Sequence, residues 1–370
     1  MTLHVFNPDH DIALSANLSN FTAPHAARLL RHDLGWLPAL WAADGDCVLV
    51  EDAAGAAASY RHFCRRQWGR VLRRAASDVD WREKSVTFVE AGQLASLPVS
   101  RVEPWGWDMA LRAFLLRHGV EAALLPGDDA LGDVRLLSNR SLSVRLLPLL
   151  RMGATTGESS VCTDVAQAEA LLQRHKSIVV KAPWSSSGRG LRFADQQRTP
   201  LSQHLRWMDN VLRRQGSLTV EPYYPKVCDF GMEFLAHDDG RVSYCGLSLF
   251  RTRNGAYTGN VIATEARKQQ FLSHYADPSL LDAVRNAVCT RLPELLGGRY
   301  GGPLGIDMMV VRGTGGNGFL LHPCVEVNLR RTMGHAVLSL MPSDDDHVFS
   351  FSVVKDHGFR VSLRTSSLGW

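Results

Sequence analysis

Gly305-Ile306-Asp307-Met308-Met309-Val310-Val311 and Phe319-Leu320-Leu321-His322-Pro323-Cys324-Val325-Glu326-Val327-Asn328-Leu329-Arg330-Arg331 are joined by Gly313-Thr314-Gly315-Gly316-Asn317-Gly318. Two apolar runs around a glycine-rich turn read as a β-hairpin. Side chains alternate along a strand, so Glu326 and Asn328 share a face. Folding the hairpin at the middle of the glycine run puts Asp307 opposite Cys324, one diagonal step from Glu326. Asp307, Glu326 and Asn328 then converge. Three oxygen-bearing side chains among apolar neighbours are costly to bury unless something positive binds them. Hard oxygen ligands suit Mg²⁺ or Mn²⁺, commonly bridged to phosphates. Read alone, the hairpin is equally a half-exposed surface whose polar residues face water.

The chain has 370 residues, 45% of them hydrophobic and 21% charged, an ordinary composition for two or three globular domains. Its formal net charge of +4 is too mild to argue for a nucleic-acid protein and favours small anionic ligands slightly. The 7 cysteines are scattered with no C-x-x-C pair, as expected of buried thiols in a reducing cytosol. No apolar run approaches the roughly 20 residues that span a bilayer, and no signal-peptide pattern opens the chain. A cytoplasmic protein without membrane or nucleic-acid partners is expected.

Further upstream, Leu3–Phe6 reads as a strand that breaks at Asn7-Pro8-Asp9-His10-Asp11. A helix capped by Asn20 or Thr22 runs on towards Leu37, and Cys47–Val50 returns as a second strand. Strand, helix and strand at this spacing indicate a βαβ unit with a parallel sheet. Loops at the carboxyl ends of such strands bind ligands, so Asn7 and Asp9 are candidate substrate contacts; local turn capping explains them equally well. Arg61, Arg65, Arg66, Arg70, Arg73 and Arg74 crowd one helix whose apolar stripe is Cys64, Trp68, Val71 and Ala75. A solvated charged face is the ordinary reading of that pattern. Val86–Phe88 and Ala122–Leu125 read as strands, and Trp107–His118 as a helix.

In the middle of the chain, Lys176–Ala182 reads as a strand ending near Lys181. Ser185-Ser186-Ser187-Gly188-Arg189-Gly190 follows it. A lysine is a compact charge suited to phosphate, and small residues let backbone N–H groups approach phosphate oxygens. A hairpin turn beside a solvated lysine is the alternative. Neither the Walker A pattern nor the dinucleotide fingerprint is present. Glu221 ends a later strand, Arg251–Asn260 reads as a polar loop on the acceptor side or equally as a solvent-exposed hairpin tip, and Ser279–Leu296 is a long helix.

In this order the features resemble the ATP-grasp superfamily. Lys181, Ser185–Gly190, Glu221, Asp307 and Glu326-x-Asn328-x-Arg330 carry the resemblance, over about Leu137 to Arg331. It implies an α/β fold in which two α+β lobes hold ATP between them, after a Rossmann-like N-terminal domain. The implied divisions are 1–136, 137–220 for the small lobe and 221–370 for the large lobe. The resemblance gives Lys181 the α-phosphate and adenine side of ATP, Ser185, Ser186, Ser187, Gly188 and Gly190 a loop over the triphosphate, and Glu221 the ribose side. Glu233 matches a further acid beside the hinge. Asp307, Glu326 and Asn328 resemble the ligands of two Mg²⁺ (or Mn²⁺) ions. Arg330 resembles the arginine that stabilises developing charge. Arg140 stands where the family often has lysine, and Asp307 where many members have glutamate.

The implied activity is Mg²⁺-dependent formation of an amide from a small-molecule or peptide carboxylate and an amine, through an acylphosphate. A small-molecule kinase or a non-catalytic ATP-binding regulator is the alternative. Arg251, Arg253, Asn260 and Arg331 join Asn7 and Asp9 as candidate substrate contacts, with His335 beside them. A homodimer is compatible with the sequence.

Overall fold

Short β-rich runs separated by helices build the first sheet, in the order β3-β2-β1-β4, from β1 (Thr2–Val5), β2 (Cys47–Leu49), β3 (Thr87–Val89) and β4 (Arg101–Pro104). All its pairings are parallel, as the βαβ spacing requires. The computed structural model describes residues 1–69, 82–185, 190–253, 256–313, 318–342 and 344–366. Strand β4 was not foreseen: Arg-Val-Glu-Pro has charges at alternate positions and ends in proline. It fits because Val102 is buried while Arg101 points to solvent. Ala122–Leu125, expected as a strand, is a 3₁₀ turn over Ala122–Leu124, in keeping with residues that are neither β-branched nor aromatic. The helix His25–Leu34 starts after Pro24, without a side-chain cap from Asn20 or Thr22. Of the arginine-rich helix, Cys64 and Trp68 are buried as its stripe requires; Arg70, Val71, Arg73, Arg74 and Ala75 lie outside the described residues.

A second, antiparallel sheet has the order β5-β8-β6-β7, from β5 (Ser160–Cys162), β6 (Ser177–Lys181), β7 (Leu191–Asp195) and β8 (Leu218–Pro222). Two amphipathic helices, Val165–His175 and Leu205–Gln215, cover it through Ala168, Leu172, Met208 and Val211. Asp164 caps the first by accepting from the Gln167 amide at 2.9 Å.

The third sheet is the largest, with the order β13-β12-β9-β10-β11-β14-β15 and antiparallel pairing throughout. Its strands are β9 (Lys226–Ala236), β10 (Val242–Arg253), β11 (Ala256–Ile262), β12 (Gly302–Arg312), β13 (Phe319–Asn328), β14 (Phe349–Lys355) and β15 (Phe359–Thr365). Along β12 the side chains of Leu304, Ile306, Met308 and Val310 are fully buried. They share a core with Val284, Val288 and Leu292 of the long helix Pro278–Leu296. Each such burial contributes about 1.5–3 kcal/mol. It fixes the opposite face of β12, and hence the direction of Asp307, at low cost.

Of the two readings of Arg251–Asn260, the exposed hairpin agrees with the structure: β10 continues to Arg253 and pairs antiparallel with β11, which starts at Ala256. Among the described residues, no helix is long and apolar enough to cross a membrane.

Candidate functional site

The hairpin that decides the fold forms, with a register the sequence did not show. Met309 pairs with His322, as folding at the middle of the glycine run requires, but Asp307 pairs with Glu326 rather than Cys324. The register shifts by two residues between these pairs. Pro323 lies in the shift and has no N–H for the ladder, so a bulge there is the low-cost solution. An even shift preserves side-chain parity, so the expected shared face survives.

Three rungs cross β9, β12 and β13 on that face. The first is Glu233–Gly305–Asn328, the second Gly231–Asp307–Glu326 and the third Asp229–Met309–His322. The glycines give the acids room. A Cβ on Gly305 would sit 2.6 Å from Glu233 Oε2. Burial, then the charges of Glu326 and Glu233, push the Asp307 carboxyl up to about 8. Carboxylates crowded in this way favour a cation between them. Among the described residues no group of three or more His, Cys, Asp or Glu side chains is close enough to hold a metal ion. The fitting donor set is smaller, two carboxylates and the Asn328 amide. Such a set leaves coordination positions for water and phosphate, as Mg²⁺ prefers.

Glu233 is the most tightly held of these acids. Thr332 Oγ1 donates to its Oε2 at 2.8 Å, and His335 Nδ1 lies 3.0 Å from the same oxygen. His335 Nε2 reaches the Phe234 carbonyl at 3.2 Å. Both nitrogens of His335 therefore serve the protein, which removes the substrate role considered for it. A Cβ on Gly334 would fall 1.8 Å from Glu233 Oε1. Gly334→Ala must expel that carboxylate, and we expect a loss of about 1–3 kcal/mol, seen as a lower midpoint of thermal unfolding.

The cations expected to meet phosphate all converge, and each is held by a carboxylate. Lys181, at the end of β6, lies 2.6 Å from Glu221 Oε2 with both side chains buried, and donates to the Val325 carbonyl at 3.3 Å. The small sheet thereby touches the edge of the large one at the hairpin. Arg140 donates to Glu326 Oε1 at 2.7 Å, to Ser185 Oγ at 2.8 Å and to the Ala182 carbonyl. It is fixed at the start of the helix Ser141–Leu146, just after Asn139, whose side chain accepts from the Ser141 amide. Arg330 Nε and Nη2 donate to Asp11 at 2.9 to 3.2 Å, and Nη2 also reaches Asn328 Oδ1 at 3.0 Å. Burial opposes the charge on Arg330, but Asp11 more than offsets it and holds the guanidinium charged. In return, the Asp11 carboxyl is lowered despite its own burial.

Asp11 belongs to the loop Asn7–Asp11 that the sequence offers as a candidate substrate contact, but its pairing with Arg330 was not foreseen. The signal for that loop was its place just beyond the carboxyl end of β1. Ser185 and Gly190 close the neck of the loop after β6, where the Ala182 amide donates to the Gly190 carbonyl at 2.9 Å. Ser186, Ser187, Gly188 and Arg189 lie outside the described residues.

The remaining substrate candidates are dispersed. Asn260 is buried in the large sheet, with its amide donating to Ser248 Oγ at 2.8 Å and its Oδ1 accepting from Tyr257 at 2.5 Å. That corrects its expected role: its hydrogen bonds are consumed between β10 and β11. Arg251 and Arg253 are exposed at the end of that hairpin where Arg253 pairs with Ala256. Arg331 turns away from the rungs: its guanidinium lies over Trp41 at 4.8 Å and 3.6 Å from Glu103. Its amide donates to the Trp105 carbonyl at 2.8 Å, which ties the end of the hairpin to the first sheet. Asn7 is buried and bonds the Gly106 carbonyl at 2.8 Å and Asp108 at 3.1 Å. Asp9 is buried beside Arg31, at 3.8 Å.

Comparison of this architecture with solved structures gives matches. The β-γ-ATP complex of biotin carboxylase from Campylobacter jejuni aligns with a TM-score of 0.52 at 12% identity, over 95% of this chain and 75% of that one. The chain has the ATP-grasp fold. Two other solved structures match with lower TM-scores. The ADP complex of N5-carboxyaminoimidazole synthetase from Staphylococcus aureus gives 0.46 at 8% identity, over 95% of this chain and 82% of that one. A RimK domain ATP-grasp protein from Sphaerobacter thermophilus gives 0.38 at 20% identity, over 69% and 87%. No protein-family model matches the sequence, and no curated protein matches it either. The ATP-grasp likeness is therefore one of fold, with the first parallel sheet as its Rossmann-like part.

Proposed function

We propose that the protein is an ATP-dependent ligase that activates a carboxylate as an acylphosphate and joins it to an amine. The reading rests on the convergence of Arg140, Lys181 and Arg330 with the Asp307–Glu326 rung. Three cations are each held by a carboxylate around one sheet face. Such an arrangement is charge-balanced without ligand and can exchange partners with a metal-bound triphosphate. Phosphate oxygens would take over the cations, and Glu326 and Asp307 would then be available to hold the metal.

In this reading Asp307, Glu326 and Asn328 hold Mg²⁺, which neutralises phosphate charge when bound. Lys181 and Arg140 grip the phosphates from the small-lobe side, with Ser185 and Gly190 at the neck of the covering loop. Glu221 holds Lys181 in line. Arg330, kept charged by Asp11, faces the transferring phosphoryl group. Positioning and charge neutralisation of this kind are what phosphoryl transfer requires, without a protein nucleophile. The corresponding division is 1–136, 137–220 and 221–370, with ATP between the second and third parts.

The test is ADP and free-phosphate release from MgATP with the twenty amino acids, supplied singly and in pairs, followed by mass spectrometry of the products. The ligase reading expects free phosphate and an amide. A stable phosphate ester without free phosphate would replace it with a kinase. ATP binding without any turnover would leave a regulatory protein.

A further inference from the structure

At the carboxyl end of the first sheet, polar side chains are buried with bonding capacity unspent. His10 is 1% exposed, its Nδ1 lies 3.4 Å from Asp108 Oδ2, and its Nε2 has no hydrogen-bond partner. Asp9 Oδ1 is likewise buried without a hydrogen bond. A buried polar atom left unpaired costs about 1–3 kcal/mol. Such atoms mark places where something else is accommodated.

The placement of the histidine is built, not incidental. Asn7 bonds both Asp108 and the Gly106 carbonyl, and the Gly106 amide returns a bond to Asn7 Oδ1 at 3.3 Å. Asp108 Oδ1 accepts from the Leu111 amide at 2.9 Å, which fixes the carboxylate at a helix start. Gly106 leaves space for the ring: a Cβ there would lie 2.6 to 2.7 Å from three imidazole atoms, Nε2 among them. The unpartnered nitrogen therefore lies over the Gly106 backbone. Gly106 follows Trp105, the residue whose carbonyl receives the Arg331 amide.

This end of β1 and β4 is also where the strand order reverses, the location at which open α/β sheets bind ligands. It adjoins the ATP-grasp rungs through one residue. Asp11 follows His10 and carries Arg330, which bonds Asn328. The charged groups facing His10 are Asp9, Asp11 and Asp108, with Arg31 beside Asp9 and Arg330 already taken by Asp11. The acidic excess suits a cationic ligand.

We propose that His10 and Asp108 form the acceptor site of the ligase, binding the ammonium form of the amine and acting as its general base. The assignment rests on the ligase reading above. The ammonium gives one proton to His10 Nε2, and Asp108 orients the ring through Nδ1. The freed lone pair forms the C–N bond at the acylphosphate carbonyl. The C–O bond to phosphate breaks with the electron pair, and phosphate leaves with the second N–H proton. His10 then releases its proton to solvent.

Hydroxylamine separates this role from a structural one, because it is largely unprotonated at neutral pH and traps an acylphosphate as a hydroxamate without a base. The ratio of amide to hydroxamate formed from MgATP and a carboxylate of the amino-acid panel is measured for wild type, His10→Gln and Asp108→Asn. Asparagine keeps the helix cap. MgATP affinity of each variant reports its folding. The ratio is expected to fall about 100-fold in His10→Gln and in the same direction in Asp108→Asn. An unchanged ratio in a variant that binds MgATP overturns the assignment and makes His10 a packing residue. Absence of hydroxamate from wild type with every carboxylate overturns the ligase reading, and this assignment with it.

Discussion

Asp307→Asn is expected to abolish ATP turnover and, in the same molecule, to stabilise the ligand-free protein. Both effects follow from one rung. Asp307 faces Glu326 directly, and Glu233 sits one rung away on the same face. Its carboxyl is pushed from the ordinary 3.8 up to about 8 by burial and by those two charges. Between those values the folded state binds a proton that the unfolded state has lost. Stability therefore falls as pH rises from about 4 to about 8, and the contribution is restored on acidification. Asparagine has nothing to ionise, so the variant should unfold at a higher temperature than wild type near pH 8, with the gap closing towards pH 4. Turnover should move oppositely, falling by about 10²–10³-fold or more, since a preorganised group for the transferring phosphate is lost. Scanning calorimetry and ADP release read the two effects separately. A variant less stable than wild type at pH 8 would mean that Asp307 is a structural acid satisfied by its neighbours.

Lys181→Met has the second large effect. Among the described residues it leaves buried Glu221 with Ser159 Oγ, at 3.2 Å, as its remaining side-chain hydrogen-bond partner. Breaking a buried pair from one side costs about 3–5 kcal/mol, because the surviving charge is uncompensated. Lys181→Met combined with Glu221→Gln removes that charge and should recover most of the stability. ATP affinity should not recover, because the phosphate-facing cation is still missing. Chemical denaturation and nucleotide titration of the single and double variants decide the matter. Recovery of both properties would make the pair a purely structural bridge between β6 and β8.

The sequence carried the shared face of the candidate site residues more clearly than the long-range pairings around them. The placement of Lys181, Glu221, Asp307, Glu326 and Asn328 was legible because each lies at a fixed parity on an apolar strand, and alternation survives small errors of register. The bulge at Pro323–Val325 shows why: it moved the partner of Asp307 by two residues without changing its face. Long-range pairings were not legible. Nothing local to Asp11 indicates that it holds Arg330, 319 residues away. Nothing local to Arg140 indicates that it joins Ser185 to Glu326. Strand β4 was missed because its charged residues alternate on an exposed edge, where polarity reads as loop. The burial of Asn260 was not legible for the converse reason, because a polar residue satisfied inside the sheet looks the same in sequence as an exposed one.

The interlocked charges hold the three cations of the candidate site in fixed positions. Arg140 on Glu326, Lys181 on Glu221 and Arg330 on Asp11 keep every cation close to where a triphosphate would lie. Each is already ordered, so little side-chain entropy remains to be lost on binding. The cost is the desolvated repulsion at Asp307, which a divalent cation would relieve in the proposed reading.

The central claim is that this sheet face holds a metal–nucleotide complex. Calorimetric titration of ATP with and without Mg²⁺, on wild type and on the variant carrying both Asp307→Asn and Glu326→Gln, tests it most directly. The account predicts that Mg²⁺ tightens ATP binding to wild type and has no effect on the double variant. Failure of wild type to bind MgATP, or an undiminished Mg²⁺ effect in the double variant, would contradict it.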